Sequence, residues 1–292
     1  MQCVVGPDGF LGSALVRHLE AHNTPVTGFR RSDAWRLASG ARSPAAEADV
    51  VYWLAGSVNP ATADSHPERI EADFVAVREF AHAVAGANVR RVVLASSGGT
   101  VYDTGAPPPY DESAATAPLS TYGRHKLELE QVLSEALPGD VELAILRIGN
   151  AYGPGQPVGT GQGVIAYWLD AALNGRPLVL FGEPDTSRDF TYIDDLASAL
   201  AHFAQAPLST PRAVFNIGSG QATELGELAS TIMAVVGEDH LALETLPARP
   251  FDVPHIWLDV TRASESGWQA RTPLVTGIER SWHALRSARA AV

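Results

Sequence analysis

Lysine occurs once in 292 residues, at Lys126, against twenty arginines. Cysteine also occurs once, at Cys3, so no disulfide can form within the chain. Basic residues never cluster beyond an Arg pair, and the formal net charge is −12. Nucleic-acid backbones need a concentrated basic face, so nucleic acid is not an expected partner. Apolar runs are of strand length or are broken by charge, as 164–173 is by Asp170. None approaches the roughly 20 residues of a membrane span, so no membrane association is expected. Met1 to Val5 runs straight into a glycine turn with no basic region or cleavage site, unlike a signal peptide. A cytoplasmic location is the resulting expectation. His18 and His22 are four apart, but no third ligand is evident nearby, so no metal site is expected.

What is present has the balance of a globular protein, 46% hydrophobic and 18% charged, with too much apolar material for disorder. A chain this long buries a large core in one or two closely packed domains. Through the first half, strand-length apolar runs alternate with helical patterns. Strands are expected at 2–5, 26–30, 49–55, 91–96 and 143–147, and helices at 10–21, 70–85 and 122–137. That alternation predicts a parallel sheet covered by helices on both faces. Past residue 150 the texture changes to a Gly- and Pro-rich stretch at 152–163. Helices are expected at 164–174, 194–205, 225–236 and 277–290, and short strands at 178–181 and 214–217. The helix near 194 and the strand near 214 should return to the first sheet. The fold class is therefore α/β, a doubly wound parallel sheet with a smaller, interleaved C-terminal domain. The expected units are 1–153 with 190–218, and 154–189 with 219–292.

The first strand leads into Gly6-Pro7-Asp8-Gly9-Phe10-Leu11-Gly12 and then a helix. Glycines allow a tight turn and close backbone approach, and a helix N-terminus presents unpaired N–H groups and a positive dipole end. In a Rossmann-type sheet such a turn holds a dinucleotide pyrophosphate. Gly6, Gly9, Phe10, Leu11 and Gly12 are the expected contacts, with Leu54 and Ala55 at the end of the third strand. Asp8 is an awkward neighbour for phosphate and is expected to turn to solvent. The end of the second strand reads the adenine ribose: an acid accepts from the 2′-OH of NAD, and an Arg accommodates the 2′-phosphate of NADP. Here the strand ends Phe29-Arg30-Arg31, with no acid until Asp33. NADP(H) is the preferred expectation, with Arg30 as main contact and Arg31 beside it. NAD(H), with the two arginines merely solvated, is the alternative.

Tyr122 and Lys126 stand at i and i+4, on one face of a helix. A tyrosine can pass a proton to or from an alcohol oxygen, but a phenol ordinarily titrates near 10. A neighbouring ammonium favours the phenolate and brings that proton within reach at neutral pH. The partner is the only lysine in the chain, and a planar guanidinium is no substitute for its compact, rotatable charge. This pair is the expected acid/base centre.

Taken with the glycine turn, Ser96-Ser97-Gly98-Gly99-Thr100-Val101-Tyr102 and Tyr122-Gly123-Arg124-His125-Lys126 resemble the extended short-chain dehydrogenase/reductases, in their nucleotide-sugar epimerase, dehydratase and ketoreductase group. The resemblance runs through nearly the whole chain, by way of residues 146–155, 187–195, 215–218, 249–253 and 266–268. It implies that Tyr122 is the acid/base and that Lys126 also holds the nicotinamide ribose. It further implies that Asn150, Arg188 and Arg249 hold the diphosphate of a nucleotide-sugar substrate, with Asp252 at the nucleotide ribose. Charge-assisted arginine contacts suit a diphosphate in an otherwise acidic chain; a surface ion pair is the alternative for either arginine. The group often dimerises through the helices near 70–85 and 122–137, which implies a homodimer here.

Three departures stand out. Gly98 occupies the position of the family's catalytic Ser or Thr. Thr100, two residues on and facing the same way in an extended segment, is the substitute hydroxyl, with Ser97 as rival. Asp73 stands where the family often has Asn, and 31–49 is short for a helix, a strand and a second helix, so one strand near the adenine pocket is expected to be missing. Gly99 and Thr100 also replace the carboxylate pair that sugar dehydratases need for eliminating water. A NADPH-dependent 4-ketoreductase of 4-keto nucleotide sugars is the preferred reading. A NAD-dependent 4-epimerase is the alternative, and a non-catalytic dinucleotide sensor, which would not need Tyr122 and Lys126, a remote one.

Overall fold

The computed structural model describes residues 1–30, 33, 44–237, 241–249 and 252–290. In chain order the first half comprises β1 (Gln2–Val5), α1 (Phe10–Ala21), β2 (Val26–Phe29), α2 (Pro44–Glu47), β3 (Val50–Trp53), α3 (Pro67–Val84), β4 (Arg91–Ser97), α4 (Thr121–Ala136) and β5 (Glu142–Ile148). The second half comprises β6 (Asn150–Tyr152), α5 (Val164–Leu173), β7 (Leu178–Phe181), β8 (Ser187–Arg188), β9 (Phe190–Tyr192), α6 (Ile193–Phe203) and β10 (Arg212–Ile217). It closes with β11 (Thr223–Glu224), α7 (Leu225–Val236), β12 (Leu243–Leu246), β13 (His255–Ile256), α8 (Thr261–Glu265) and α9 (Leu274–Ala290).

Among the described residues one parallel sheet runs in the order β10-β5-β4-β3-β1-β2. Its inner strands are apolar on both sides because helices cover both faces, and successive residues alternate between two cores. Fully buried Cys3, with Val51, Trp53, Val92 and Leu94, packs beneath Phe74, Val77 and Phe80 of α3 and Leu129 and Leu133 of α4. Val4, Tyr52, Val93 and Leu146 face the other way, onto Leu15 and Leu19 of α1 and Leu196, Leu200 and Phe203 of α6. β10 and α6 thus return to the first sheet, as the apolar runs near 194 and 214 predict. The topological switch lies between β1 and β3, so the carboxyl ends of these strands open a crevice of the kind that holds ligands in such sheets.

A third core gathers Trp168, Leu228, Ile232 and Ile278 from α5, α7 and α9. Short strands pair beside it: β7 with β12, β8 with β11 and β13, and β6 with β9. Among the described residues the sheet ends at β2. The expected missing strand bears on residues 34–43, and Arg31 is also outside the described residues. No helix among the described residues is long and apolar enough to cross a membrane.

Candidate active site

The glycine turn is built by exclusion. Gly6 has φ +88°, and a Cβ there would lie 3.0 Å from the Ala55 backbone N, so the turn and the end of β3 meet main chain to main chain. A Cβ at Gly12 would drive into the Gly6 carbonyl, which is why the first turn of α1 can fold back onto the loop. Gly9 caps α1 with no side-chain hydrogen bond, so the first N–H groups keep their capacity for an anion. The turn opens on a cavity of about 920 Å³ lined by Gly6, Gly9, Arg30, Asp33, Leu54, Ala55, Ser57 and Asp73, among others. Size, glycine cradle and uncapped helix end fit a dinucleotide. Phe10 and Leu11 are partly buried, packed against the core beside α5 and α9.

At the rim, Asp8 is exposed to solvent, as expected, and its carboxylate also takes a partner that the sequence did not name: Arg30 Nε donates to Asp8 Oδ2 at 2.7 Å and Arg30 Nη2 to Oδ1 at 3.0 Å. Asp33 curls back so that its Oδ2 accepts from the Arg30 backbone N–H at 2.7 Å.

Helix α4 carries Tyr122 and Lys126, the expected acid/base pair. Ser120 caps it, accepting from Gly123 N at 3.0 Å. Lys126 Nζ donates to the Ala95 carbonyl of β4 at 3.1 Å and stands 5.9 Å from the Tyr122 ring centroid. Gly123 lets the helix start pack directly on the Thr100 carbonyl, where any Cβ would clash. The turn after β4 is therefore brought against Tyr122 by backbone contact. In that turn the Thr100 hydroxyl is buried without a hydrogen-bond partner, whereas Ser97 is half-buried at the strand end. A Cβ at Gly98 would lie 2.6 Å from Leu258 Cδ1, so Leu258 fills the space that a side chain at this position would need.

On the other side of the turn, Arg249 forks onto Asp252, with Nε–Oδ2 and Nη2–Oδ1 both 2.9 Å, while its guanidinium lies 5.3 Å from the exposed Phe181 ring. Arg188 donates to the carbonyls of Ser187 and Pro254 at 2.8 and 3.1 Å. Burial, with Arg249 nearby, outweighs Asp252 and lowers the Arg188 pKa. Asn150 Nδ2 donates to the Asp189 carbonyl at 3.2 Å, next to Arg188. Among the described residues no group of three His, Cys, Asp or Glu is placed to hold a metal ion.

Residues 2–218 match the model of the NAD dependent epimerase/dehydratase family. The chain belongs to that family. The UDP-glucose 4-epimerase of Mycolicibacterium smegmatis is 31% identical over 95% of this chain and 96% of its own length. The dTDP-4-dehydro-6-deoxyglucose reductase of Escherichia coli is 32% identical over 67% of this chain, which spans 61% of that protein. Among solved structures, MoeE5 in complex with UDP-glucose and NAD is 30% identical, with a TM-score of 0.85 over 99% of both chains.

The epimerase/dehydratase fold brings together the expected glycine turn, Leu54, Ala55 and Arg30 in one cavity, and Arg188, Arg249 and Asp252 in another cluster. Tyr122 and Lys126 are not in the lining of the dinucleotide cavity; the bridge to them is a contact that sequence reading did not supply. Asp73 accepts from Ser57 N at 2.9 Å and from the Ser57 hydroxyl, and its Oδ2 is 3.3 Å from Nε2 of buried His125. Burial raises the Asp73 pKa, but His125 and Ser57 outweigh it and hold it below the ordinary value. Asp73 and His125 show only as a family departure and a residue between Tyr122 and Lys126. Asp33 was visible as the first acid after β2, without its placement in the cavity.

Proposed function

We propose that this chain is a NAD-dependent 4-epimerase of nucleotide sugars. The observation that carries the reading is Asp33, a carboxylate four residues past the end of β2 that lines the dinucleotide cavity, suited to the 2′-OH of NAD and repulsive to a 2′-phosphate. An epimerase returns to the sugar what it removes and so keeps NAD, whereas a net reductase draws on NADPH. Bound NAD would supply the hydride-accepting and hydride-returning chemistry at C4. Tyr122 takes the C4 hydroxyl proton and later returns it, and Lys126, held by the Ala95 carbonyl, supports the phenolate and the nicotinamide ribose. Ser97 is the hydroxyl that donates to the C4 oxygen, because Thr100 offers no accessible oxygen. Asn150, Arg188, Arg249 and Asp252 hold the nucleotide diphosphate and its ribose. In this reading 1–153 with 190–218 binds the dinucleotide and 154–189 with 219–292 binds the sugar nucleotide. Two copies pair through α3 and α4, which sedimentation checks.

The test is incubation of the purified protein with UDP-glucose, followed by proton NMR. Appearance of the C4 epimer without a stoichiometric reductant supports the reading, and Tyr122→Phe should slow it about 10²–10⁴-fold while sparing dinucleotide binding. The second reading, a NADPH-dependent 4-ketoreductase with Arg30 and Arg31 on the 2′-phosphate, is favoured by the match to the Escherichia coli reductase. It predicts no epimerisation and stoichiometric consumption of NADPH with a 4-keto nucleotide sugar.

A further inference from the structure

We propose that Asp8, inside the glycine turn, is a cofactor-selectivity residue: it engages the Arg30 guanidinium and so denies it to a 2′-phosphate. This rests on the NAD reading above and explains how a chain with arginine at the end of β2 discriminates in that direction.

The contact is fork on fork. Arg30 Nε and Nη2 meet the two Asp8 oxygens at 2.7 and 3.0 Å, which is the geometry and the edge of the guanidinium that a phosphate would use. The remaining nitrogen, Nη1, points over Gly28, 3.9 Å from where a Cβ would stand. Arg30 thus lies across the turn beside Pro7. With Asp33 on the Arg30 backbone N–H and Asp8 on its guanidinium, two carboxylates hold one arginine at this corner. A 2′-phosphate would bring more negative charge there and would have to break the Asp8 pair. The same pair answers how an acid is tolerated in a pyrophosphate loop: Arg30 cancels its charge. Arg30 is then a counter-ion to Asp8, serving NADH and NADPH alike. Arg69, Glu68, Glu79 and His82 line the same cavity from α3. The pair is solvent-exposed, with side chains 67% and 56% accessible, so breaking it should not unfold the protein.

The experiment is fluorescence titration of the full chain, stripped of dinucleotide, with NADH and NADPH, in wild type, Asp8→Asn, Arg30→Ala and the double variant. The wild-type ratio of the two Kd values tests the NAD reading on its own; preference for NADPH would sink that reading. The shift of the ratio tests Asp8. Asp8→Asn should move it toward NADPH about tenfold, the scale of a freed charge-assisted hydrogen bond. Adding Arg30→Ala should abolish that gain. Arg30→Ala alone should weaken both dinucleotides to a similar extent. An unchanged ratio in Asp8→Asn, or a loss confined to NADPH in Arg30→Ala alone, overturns the proposal.

Discussion

Position 98 has no room for a side chain. Leu258 sits where a Cβ would be, 2.6 and 2.9 Å from its two methyl carbons, with the Arg147 carbonyl at 3.0 Å. Gly98→Ser therefore overpacks the turn, and urea denaturation should show a loss of about 1–3 kcal/mol. In a Leu258→Ala background the same substitution should cost clearly less, because the two sites couple through contact; an equal cost in both backgrounds would show that Leu258 is not the obstacle. With that position closed to a hydroxyl, Ser97→Ala should lower kcat by about 10²-fold. Thr100→Val, which alters an oxygen already without partner or access, should leave kcat nearly unchanged. A reversed ranking in steady-state kinetics would return the hydroxyl role to Thr100.

Between elements, the joint under the site is ionic. Glu130 of α4 accepts from Arg147 of β5, Nη2 to Oε2 at 2.8 Å, and from the Ser96 hydroxyl of β4, with both charged side chains no more than 7% exposed. Burial alone would lower the Arg147 pKa, but Glu130 and Tyr102 more than reverse it. Glu130→Ala strands a buried guanidinium and should cost about 3–5 kcal/mol by chemical denaturation. Replacing both partners, Glu130→Leu with Arg147→Met, should recover most of it. None of this joint was legible in the sequence, although much around it was. The glycine turn and the Tyr122 and Lys126 spacing are local patterns that can be read without the fold. The main strands and helices were legible from their apolar periods, usually to within a few residues. Strands of two or three residues, such as β8, β11 and β13, are too short to show a period. Asp8 with Arg30, Asp73 with His125, and Gly98 with Leu258 pair across long chain separations, so only the folded backbone names the partner.

At the scale of the whole molecule, a ligand that binds only the folded chain stabilises all of it. Dinucleotide at a hundred times its Kd should add about 2.7 kcal/mol and raise Tm by roughly 4–5 °C for a chain of this size; no shift in calorimetry would argue against a dinucleotide site. Acid should act in the opposite sense through His18. Burial, then repulsion from His22, outweighs Asp194 and holds His18 below its ordinary 6.5. The folded chain thus takes up this proton at lower pH than the unfolded one, so the contribution is present above 6.5 and is lost as pH falls through the folded value. Tm should drop between pH 7 and pH 5, and His18→Gln should flatten part of that drop; identical slopes would clear His18 of any part in it. The same compact sheet has a chemical corollary. Cys3 lies in β1 with no exposed surface, and burial, then Asp33, pushes its thiol up to about 12. The folded protein should consequently be silent to maleimides and disulfide reagents. Each molecule that opens its central sheet gains one mass increment and no more, so the wild-type chain carries its own single-site clock for global unfolding.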